Sequence, residues 1–385
     1  MLRQRVLSHL LSAAPAPSTS RLLSLHRLLS AAAPAVSPNP SFAVEEYFVG
    51  TCGLTRAQAL KASTKLSHLK SPANPDAVLA FLAGLGLSGA DVAAVVAKDP
   101  RFLCAGVGRT LSPVVVGLTG LGLSPSDIVR LVLLVPNKFR QRCVVSKLEY
   151  CLPLFGSIDN LFRPLKHSSS ILDSDLDTVV KPNVNLLLEC GLGACDIAKL
   201  FIHVPRVLNA KPGRVLEMVA CAKGIGVPCG SRMLRQALHA VAYLSEEQVA
   251  AKVEQLKKTL RWSDGEVRIA VSRWPIVLRC SNDTLQRKSE FLIYEVGLEP
   301  ARIAQLPVML GLSLEGRLRP RYYVMRFLME NGLLNHDRDY YNMVVVSKKV
   351  FVEKFICPHK EAAPHLAEDY TAACKGKVPA RFRFT

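Results

Sequence analysis

Apolar residues recur along this chain with the spacing of short amphipathic helices. Residues three and four apart lie on one face of a helix, so sets with that spacing predict a buried helical stripe. Strand patterns are nearly absent, and a brief apolar run at 343–346 is interpreted as the edge of a helix. The pattern therefore predicts an all-α protein. Representative sets are Val78, Leu79, Leu82 and Leu85, then Ile128, Leu131, Val132 and Val135.

Glycine falls between these helical sets at a nearly constant interval. The steps between successive marks are 33, 36, 34, 35, 35, 71 and 35 residues, and the 71-residue step is a double one with its mark missing near Arg261. Glycine tolerates the left-handed backbone that closes a helix, and Ser88 and Ser124 are placed to cap the helices that follow. Such periodicity predicts a repeat array. The marks are Gly53, Gly86, Gly122, Gly156, Gly191, Gly226, Gly297 and Gly332.

Proline provides a second set of marks, 14 residues after the glycines, at Pro100, Pro136, Pro205 and Pro275. Proline ends a helix because it has no backbone N–H and clashes with the preceding turn. One unit is thus a helix, a glycine turn, a second helix and a break. About eight or nine units of about 35 residues predict a solenoid, right- or left-handed, over residues 45–355. The equivalent marks at Ser67, Ser170, Ala240 and Gly311 lack proline.

The repeat unit also resembles a known family. Its Gly-Leu-Ser turn is followed by Pro-Arg-Phe-Leu at 100–103 or Pro-Arg-Val-Leu at 205–208, and the stretches TCGLTRAQAL (51–60) and LPVMLGLSLEGRLRPRYYVMRFL (306–328) flank the array. These features resemble the mitochondrial transcription termination factor (mTERF) family, in a plant organellar member, over residues 45–360. The resemblance implies a curved helical superhelix that binds organellar nucleic acid. We expect it to be a monomer.

The first 44 residues have a different composition from the rest of the chain. They contain Arg3, Arg5, Arg21 and Arg27, many Ser, Ala and Leu residues, and no acidic residue before Glu45. This composition predicts an organelle transit peptide, and the alternative is a tail without a targeting role. The segment 21–30, RLLSLHRLLS, can form a basic amphipathic helix, which favours a mitochondrial over a chloroplast destination.

Charge gives the first indication of a partner. Without those four arginines, 45 of the 49 basic residues remain against 31 acidic ones, a net charge of +14, which implies an anionic partner. The 11 cysteines contain no CxxC pair, so we expect reduced thiols and no metal site. Cys357 and His359 are close in sequence but have no second ligand pair nearby.

Three other readings are disfavoured by the sequence. Residues 78–97 approach the length of a membrane span with one charge, Asp91, but the aligned unit 114–133 carries Asp127 and Arg130, so we expect no membrane insertion. Residues 84–89, GLGLSG, match a dinucleotide fingerprint, but a helical pattern precedes them where a strand is required, so no cofactor is expected. No GxxxxGK[ST], HExxH or GxSxG motif occurs, and we expect no catalytic residues and no enzyme activity.

Basic residues are the candidate functional groups. One set lies beside the proline marks, where superposed repeats would align them into a row that follows a phosphate backbone; the alternative is that they are helix-end charges. A second set lies near the C-terminus among Tyr322, Tyr323, Tyr340 and Tyr341, which could stack on bases. The alternative there is a polar cap of the solenoid, and residues 356–385 are expected to form a loosely ordered basic tail. The sets are Lys98, Arg101, Lys138, Arg206 and Arg273, then Arg317, Arg319, Arg321, Lys348 and Lys349.

The leading hypothesis is a non-enzymatic organellar protein that clamps double-stranded DNA on a basic concave face and regulates transcription, including termination. Eight repeats at about 8–10 Å each would span about 64–80 Å, which matches on the order of 20 base pairs. One alternative is RNA binding in intron splicing or transcript maturation. A second alternative is a protein–protein scaffold, which predicts a groove that is not basic.

Overall fold

The computed structural model describes residues 42–335 and 337–382, so the predicted transit segment lies almost entirely outside it. The described residues form 22 α-helices connected by short turns and contain no β-strand. The predicted all-α class is confirmed, and so is the repeat solenoid. Residues 78–97, whose length approaches that of a membrane span, lie in two separate helices that are interrupted at the turn around Gly86.

Nine repeats follow one another within the described part of the chain, each built from two main helices. The first five are α1 (Val44–Gly50) with α2 (Arg56–Ser63), α3 (Ala73–Gly84) with α4 (Gly89–Lys98), α5 (Ser112–Gly120) with α6 (Pro125–Leu134) and α7 (Pro136–Phe139), α8 (Cys143–Phe155) with α9 (Ile158–Leu165) and α10 (Ser170–Asp173), and α11 (Lys181–Glu189) with α12 (Ala194–His203). The last four are α13 (Pro212–Gly224) with α14 (Leu234–Val241), α15 (Glu246–Leu260) with α16 (Asp264–Arg273), α17 (Asn282–Glu290) with α18 (Pro300–Gln305), and α19 (Arg319–Glu330) with α20 (Tyr340–Val345). Two helices follow them, α21 (Lys348–Phe355) and α22 (Leu366–Ala373).

The turn between the two main helices of each repeat is left-handed. All eight marker glycines have φ between +69° and +92°. The missing ninth mark is Arg261, with φ +55°, the one non-glycine residue of positive φ in the described chain. A side chain in this conformation costs about 1–2 kcal/mol. The Arg261 guanidinium bonds to the hydroxyl of Tyr294 and lies 5.4 Å from the centre of its ring, which offsets part of that cost.

The proline marks begin a third, short helical turn, where the sequence pattern predicted only a break. Each proline stands at the first position of that turn, where its missing N–H leaves no bond unmade. Pro307 begins the equivalent turn of the eighth repeat, four residues before the mark expected at Gly311. The 3₁₀ turns are Pro100–Cys104, Pro205–Val207, Pro275–Arg279, Pro307–Gly311, Cys357–His359 and Ala380–Phe382; single π-turns span Val107–Leu111, Leu176–Val180, Phe291–Glu295 and Leu314–Leu318.

Equivalent positions build a continuous core along the stack. Leu82, Leu118, Leu187 and Leu328 each precede a marker glycine by four residues, and each is fully buried. Burial of one such side chain contributes about 1.5–3 kcal/mol. The buried residues form two clusters, one from the first repeat to α15 and one from α14 to the C-terminal helices, and the partly buried Ile225 packs against both.

Capping fixes where the second helices begin. The Ser88 hydroxyl accepts a hydrogen bond from the backbone N–H of Asp91 at 3.2 Å, and the Asp91 carboxylate accepts one from the Ser88 N–H at 3.0 Å. Ser124 and Asp127 repeat this capping box in the third repeat. Both serine caps predicted from the sequence are confirmed. Each serine hydroxyl also donates to the aspartate carboxylate, at 2.6 Å from Ser88 to Asp91, and this bond, followed by the bond from the serine N–H, lowers the pKa of both aspartates.

The C-terminal segment is ordered through residue 382. Helix α22 packs on α19, and Leu366, Tyr370 and Phe382 are each 2% exposed. Arg381 forms an ion pair with Asp369 at 2.9 Å. The expectation of a loosely ordered tail is therefore wrong for residues 356–382, because the segment covers the apolar face of the last repeat, as a solenoid end requires.

Candidate nucleic-acid interface

The break regions of neighbouring repeats lie side by side along the stack. The Lys98 ammonium donates to the carbonyl oxygen of Leu134 at 2.5 Å, and the Arg273 guanidinium donates to that of Gln305 at 2.7 Å. The rings of His203 and His239 stack with centroids 5.2 Å apart. Each pair joins adjacent repeats at equivalent positions, so these regions form one aligned surface. We call it the break edge, residues 67–70, 98–109, 134–142, 165–173, 203–214, 239–243, 273–280 and 305–311.

A basic cavity opens on the break edge of the first three repeats. It has a volume of about 290 Å³ and is lined by His68, Arg101, Arg109, Thr110 and Arg140, among others. Arg101 and Arg109 are exposed, and neither side chain has a hydrogen-bond or ion-pair partner within residues 42–335 and 337–382. Arg140 donates to the carboxylate of Asp99 at 2.7 Å. We call this cavity the first arginine pocket.

The same arrangement recurs three repeats later. A second cavity of about 290 Å³ is lined by Arg206 and Arg214, and we call it the second arginine pocket. Arg206 directly follows Pro205 and Arg214 lies nine residues after it, as Arg101 and Arg109 do relative to Pro100. Arg206 is exposed and unpartnered in the described chain, whereas Arg214 bonds to Glu217 and to the carbonyl of Leu244.

A further cavity lies on the break edge of the second to fourth repeats. Its volume is about 510 Å³, and its lining includes Lys98, Asn137, Lys166 and His167. Lys98 and Lys166 are exposed there. This cavity extends the basic surface beyond the first arginine pocket towards the centre of the stack.

Lys138 does not lie on this surface. It is 8% exposed, and its ammonium forms an ion pair with Asp173. It stands two residues after its proline, and the equivalent residues Phe102, Val207 and Met309 are all buried in the core. Comparison of the repeats in the sequence could have shown that this position faces inward. Lys138 is therefore a structural ion-pair residue with its ammonium occupied.

Two of the C-terminal arginines are bound to the backbone. Arg321 is 1% exposed, lies 4.5 Å from the ring centre of Phe351, and donates to three carbonyl oxygens at the end of α20. Arg317 donates to the carbonyls of Val344, Val345 and Val346. Burial and, secondly, the charge of Arg321 lower the pKa of Arg317. Both arginines join α20 to α19 and have few donors left for a phosphate.

The remaining C-terminal candidates divide by exposure. Arg319 forms ion pairs with Glu295 at 3.0 Å and Glu315 at 3.2 Å. Lys348 and Lys349 are exposed on the first turn of α21, and Lys349 lies 3.9 Å from the Glu353 carboxylate.

The tyrosines expected to stack on bases are in part buried. Tyr322 and Tyr340 are 9% and 3% exposed, and their hydroxyls donate to the carbonyls of Glu295 and Leu318. Their rings pack edge to face with centroids 5.9 Å apart. These two rings belong to the core.

Sequence reasoning missed a bond that recurs between the first helix and its own break in seven of the nine repeats. A donor on the first helix reaches carbonyl oxygens near the end of the break, which have no partner within a helix and need one. A polar residue on the first helix, 22 to 30 residues before those carbonyls, is the signal that could have revealed this bond. The pairs are Asn74 with Leu103, Lys147 with Leu172, Asn183 with Leu208, Arg214 with Leu244, Lys252 with Cys280, Lys288 with Leu310 and Arg321 with Met343.

Other chemistry is sparse in the described part of the chain. No group of three or more His, Cys, Asp or Glu side chains there is placed to hold a metal ion. None of its helices combines the length and apolar character needed to cross a bilayer. The 11 cysteines are all unpaired thiols, and burial raises the pKa of Cys151 to about 12.

The fold and its surface define an α-helical solenoid with basic pockets along one aligned edge. The mTERF family model matches residues 78–352, and the chain belongs to this family. Members of the family are known as organellar nucleic-acid-binding factors related to transcription.

Two relatives from Arabidopsis thaliana are similar to this chain. It is 24% identical over 252 residues to "Transcription termination factor MTERF15, mitochondrial", an alignment that covers 63% of this chain and 55% of the relative. It is 22% identical over 164 residues to "Transcription termination factor MTERF8, chloroplastic", covering 43% and 33%. The chain thus spans about half or less of the length of these relatives. Their names support an organellar location and do not distinguish the organelle.

Proposed function

We propose that this chain is a non-enzymatic organellar protein that clamps duplex DNA along its break edge and so regulates transcription, including termination. The observation that carries the proposal is the arginine pocket that recurs after three repeats. Arg101, Arg109 and Arg206 are exposed there and have no partner in the described chain. A free guanidinium fork binds a phosphate through two parallel hydrogen bonds, which makes such pockets suitable phosphate sites.

The spacing of the two pockets suits a continuous phosphate backbone. Three repeats stacked at about 8–10 Å place the pockets about 24–30 Å apart. At about 3.4 Å per base pair, this distance corresponds to about seven to nine base pairs of duplex. One duplex of about 20 base pairs could therefore contact both pockets and the basic cavity that contains Lys98 and Lys166.

The proposed contact residues differ from the set expected from the sequence. Lys98, Arg101, Arg206, Arg273, Lys348 and Lys349 remain in it, and Arg109 joins them. The retained residues are all exposed, although Lys98 and Arg273 also donate to backbone carbonyls. Lys138, Arg317, Arg319 and Arg321 leave the set because they are buried or half-buried and their charged groups are also engaged within the protein. We also propose that the protein acts as a monomer in mitochondria, with chloroplasts as the alternative.

Salt dependence tests the proposal directly. The full chain would be titrated against a fluorescent 20-base-pair duplex between 50 and 200 mM KCl. Five to seven phosphate contacts predict a slope of log K against log salt of about −4.5 to −6. A flat response would refute a phosphate-dominated interface and would favour the protein–protein scaffold.

Structured RNA presents the same phosphate chemistry and is the second candidate ligand. Competition of a structured RNA of equal charge against the bound duplex, at one salt concentration, separates the two. Stronger displacement by RNA than by unlabelled duplex would assign the break edge to transcript processing, and weaker displacement would support DNA.

A further inference from the structure

A second surface, which is apolar and acidic where the break edge is basic, lies between α13 and α15. Here a groove of about 640 Å³ has an apolar floor that includes Met218, Ile225, Val249 and Val253. On each helix the lining residues recur every three or four positions, so two helical faces form its walls. Ala220, Gly224 and Ala250 line it as well, and their small side chains keep it open.

The groove has a local cause in the repeat pattern. In the second, fifth, seventh and eighth repeats a proline turn follows the second helix. In the sixth repeat the mark falls on Ala240, and residues 242–245 alone connect α14 to α15. With no third helical turn in that connection, the side chains between α13 and α15 are left partly uncovered.

The rim of the groove is acidic in a strongly basic protein. Glu217, Glu246, Glu247 and Glu254 line it, against one basic residue, Arg214. Arg214 pairs with Glu217 at 2.8 Å and bonds to the Leu244 carbonyl at 2.9 Å, and Lys257 pairs with Glu254 at 2.7 Å. Glu246 and Glu247 form no ion pair among the described residues, so they carry the uncompensated negative charge of the rim. The hydrogen bond from Ser245 lowers the pKa of Glu247 and keeps it a carboxylate. This rim repels phosphates and attracts cations.

We propose that this groove docks a cationic amphipathic helix of a partner protein. Such a helix places apolar anchors at i, i+3, i+4 and i+7 into the floor while its Lys or Arg residues meet Glu246 and Glu247 on the rim. The groove adjoins the second arginine pocket, since Arg214 and Met218 line both cavities. A helix docked here would therefore lie next to nucleic acid held on the break edge.

Binding of a synthetic helix tests the proposal. The probe is a fluorescein-labelled 18-residue peptide with leucines at i, i+3, i+4 and i+7 and lysines elsewhere, titrated into the full chain and followed by anisotropy. The same composition in scrambled order, and a peptide with glutamate in place of lysine, serve as controls. We expect saturable binding of the lysine helix alone; failure of that helix to bind, or equal binding of either control, would overturn the proposal.

Two adjacent alanines provide matched variants. Ala250 and Ala251 are both exposed on α15, and of the two only Ala250 lines the groove. Ala250→Arg fills the groove and adds a like charge, so we expect affinity for the lysine helix to fall about tenfold or more. Ala251→Arg should leave it within about twofold, because its side chain points elsewhere. Equal affinities for the two variants would place the peptide outside the groove and overturn the proposal.

Charge removal adds an independent measurement. Glu246→Gln combined with Glu247→Gln leaves the apolar floor intact and removes the two rim charges that have no ion-pair partner among the described residues. We expect this variant to bind the lysine helix several-fold more weakly and to bind duplex DNA no less tightly than the unchanged chain. Unchanged peptide affinity would refute the role of the acidic rim. Failure of DNA binding would refute the proposed function and leave the groove untouched.

Discussion

Replacing both free arginines of the first arginine pocket tests the nucleic-acid proposal at single-site resolution. Arg101→Ala with Arg109→Ala removes two guanidinium groups that have no hydrogen-bond or ion-pair partner in the described chain. The Arg109 carbonyl, which accepts from Arg142, is retained by alanine. We therefore expect the free energy of unfolding to change by no more than about 0.5 kcal/mol.

The expected loss in DNA binding is large by comparison. A hydrogen bond to a charged group contributes about 1.5–3 kcal/mol, so two lost phosphate contacts cost at least about 3 kcal/mol, or about a hundredfold in affinity. Two fewer contacts also make the slope of log K against log salt shallower by about 1.8. Anisotropy titrations with a 20-base-pair duplex at 50, 100 and 200 mM KCl measure both quantities.

A control with the same charge change separates contact from net charge. Arg287 and Arg302 form surface ion pairs with Glu315 at 2.9 Å and Asp339 at 2.8 Å. They belong to the eighth repeat, six repeats after Arg101 and Arg109, which is about 48–60 Å at about 8–10 Å per repeat. Since the Debye length is about 10 Å at 0.1 M salt, their joint replacement by alanine should change affinity by less than about threefold. Equal losses in the two double variants would refute a phosphate site in the pocket and leave net charge as the explanation.

Three further outcomes follow from buried, strained or titrating groups. Arg321→Met leaves the Met343 carbonyl without its donor, whereas the Val344 and Val346 carbonyls keep Arg317, so urea unfolding should show a loss of about 1–3 kcal/mol; a loss below about 0.5 kcal/mol would contradict this assignment. Gly86→Ala should destabilise the protein by about 1–2 kcal/mol, because the backbone φ angle is +92° there. Gly84→Ala should stabilise it by up to about 1 kcal/mol, because Gly84 has ordinary helical backbone and an added Cβ meets no atom within 4 Å at either position. Equal shifts in melting temperature for the two variants would show that the turn does not require a left-handed residue at Gly86. Burial and then Arg279 lower the pKa of His239 from its ordinary 6.5 to about 4. As pH falls from 7 towards 4, His239 takes up a proton in the unfolded chain before it does so in the folded chain, so the free energy of unfolding decreases. His239→Gln removes this group, so the melting temperature of the variant should fall less between pH 7 and pH 5 than that of the unchanged chain.

The backbone pattern was the most predictable part of this molecule. Glycine adopts the left-handed backbone of a turn at little energetic cost, so the glycine marks located eight of the nine turns. The double step between Gly226 and Gly297 located the ninth turn at Arg261. The structural role of each proline was harder to predict from the sequence, because proline both ends one helix and is favoured at the first position of the next. The sequence pattern therefore located the breaks at Pro100 and Pro275 but not the short turns that begin there.

The fate of individual cations could not be predicted from their distance to a proline. Arg101 and Lys138 differ by one position within the repeat. Arg101 is nevertheless exposed, whereas Lys138 is buried and forms an ion pair with Asp173. The decisive property is the direction of the side chain on a short turn. That direction can be inferred only by comparing the polarity of each position across repeats, where Lys138 is the exception among apolar residues.

The carbonyls left open at the breaks explain why net charge overstates the number of contact residues. In the second and fifth repeats the donor to these carbonyl oxygens is an uncharged asparagine amide, from Asn74 and Asn183. Elsewhere lysine or arginine does so, as Lys288 does for the Leu310 carbonyl at 2.7 Å. A carbonyl is uncharged, so such a cation keeps its full charge and still adds to the long-range field that steers a polyanion. Its hydrogen-bond donors, however, are occupied, so it adds little to the contacts that set the salt slope. Association rate should therefore follow the whole basic surplus, while equilibrium affinity follows the exposed cations of the proposed contact set, above all the arginines of the two pockets that have no partner in the described chain.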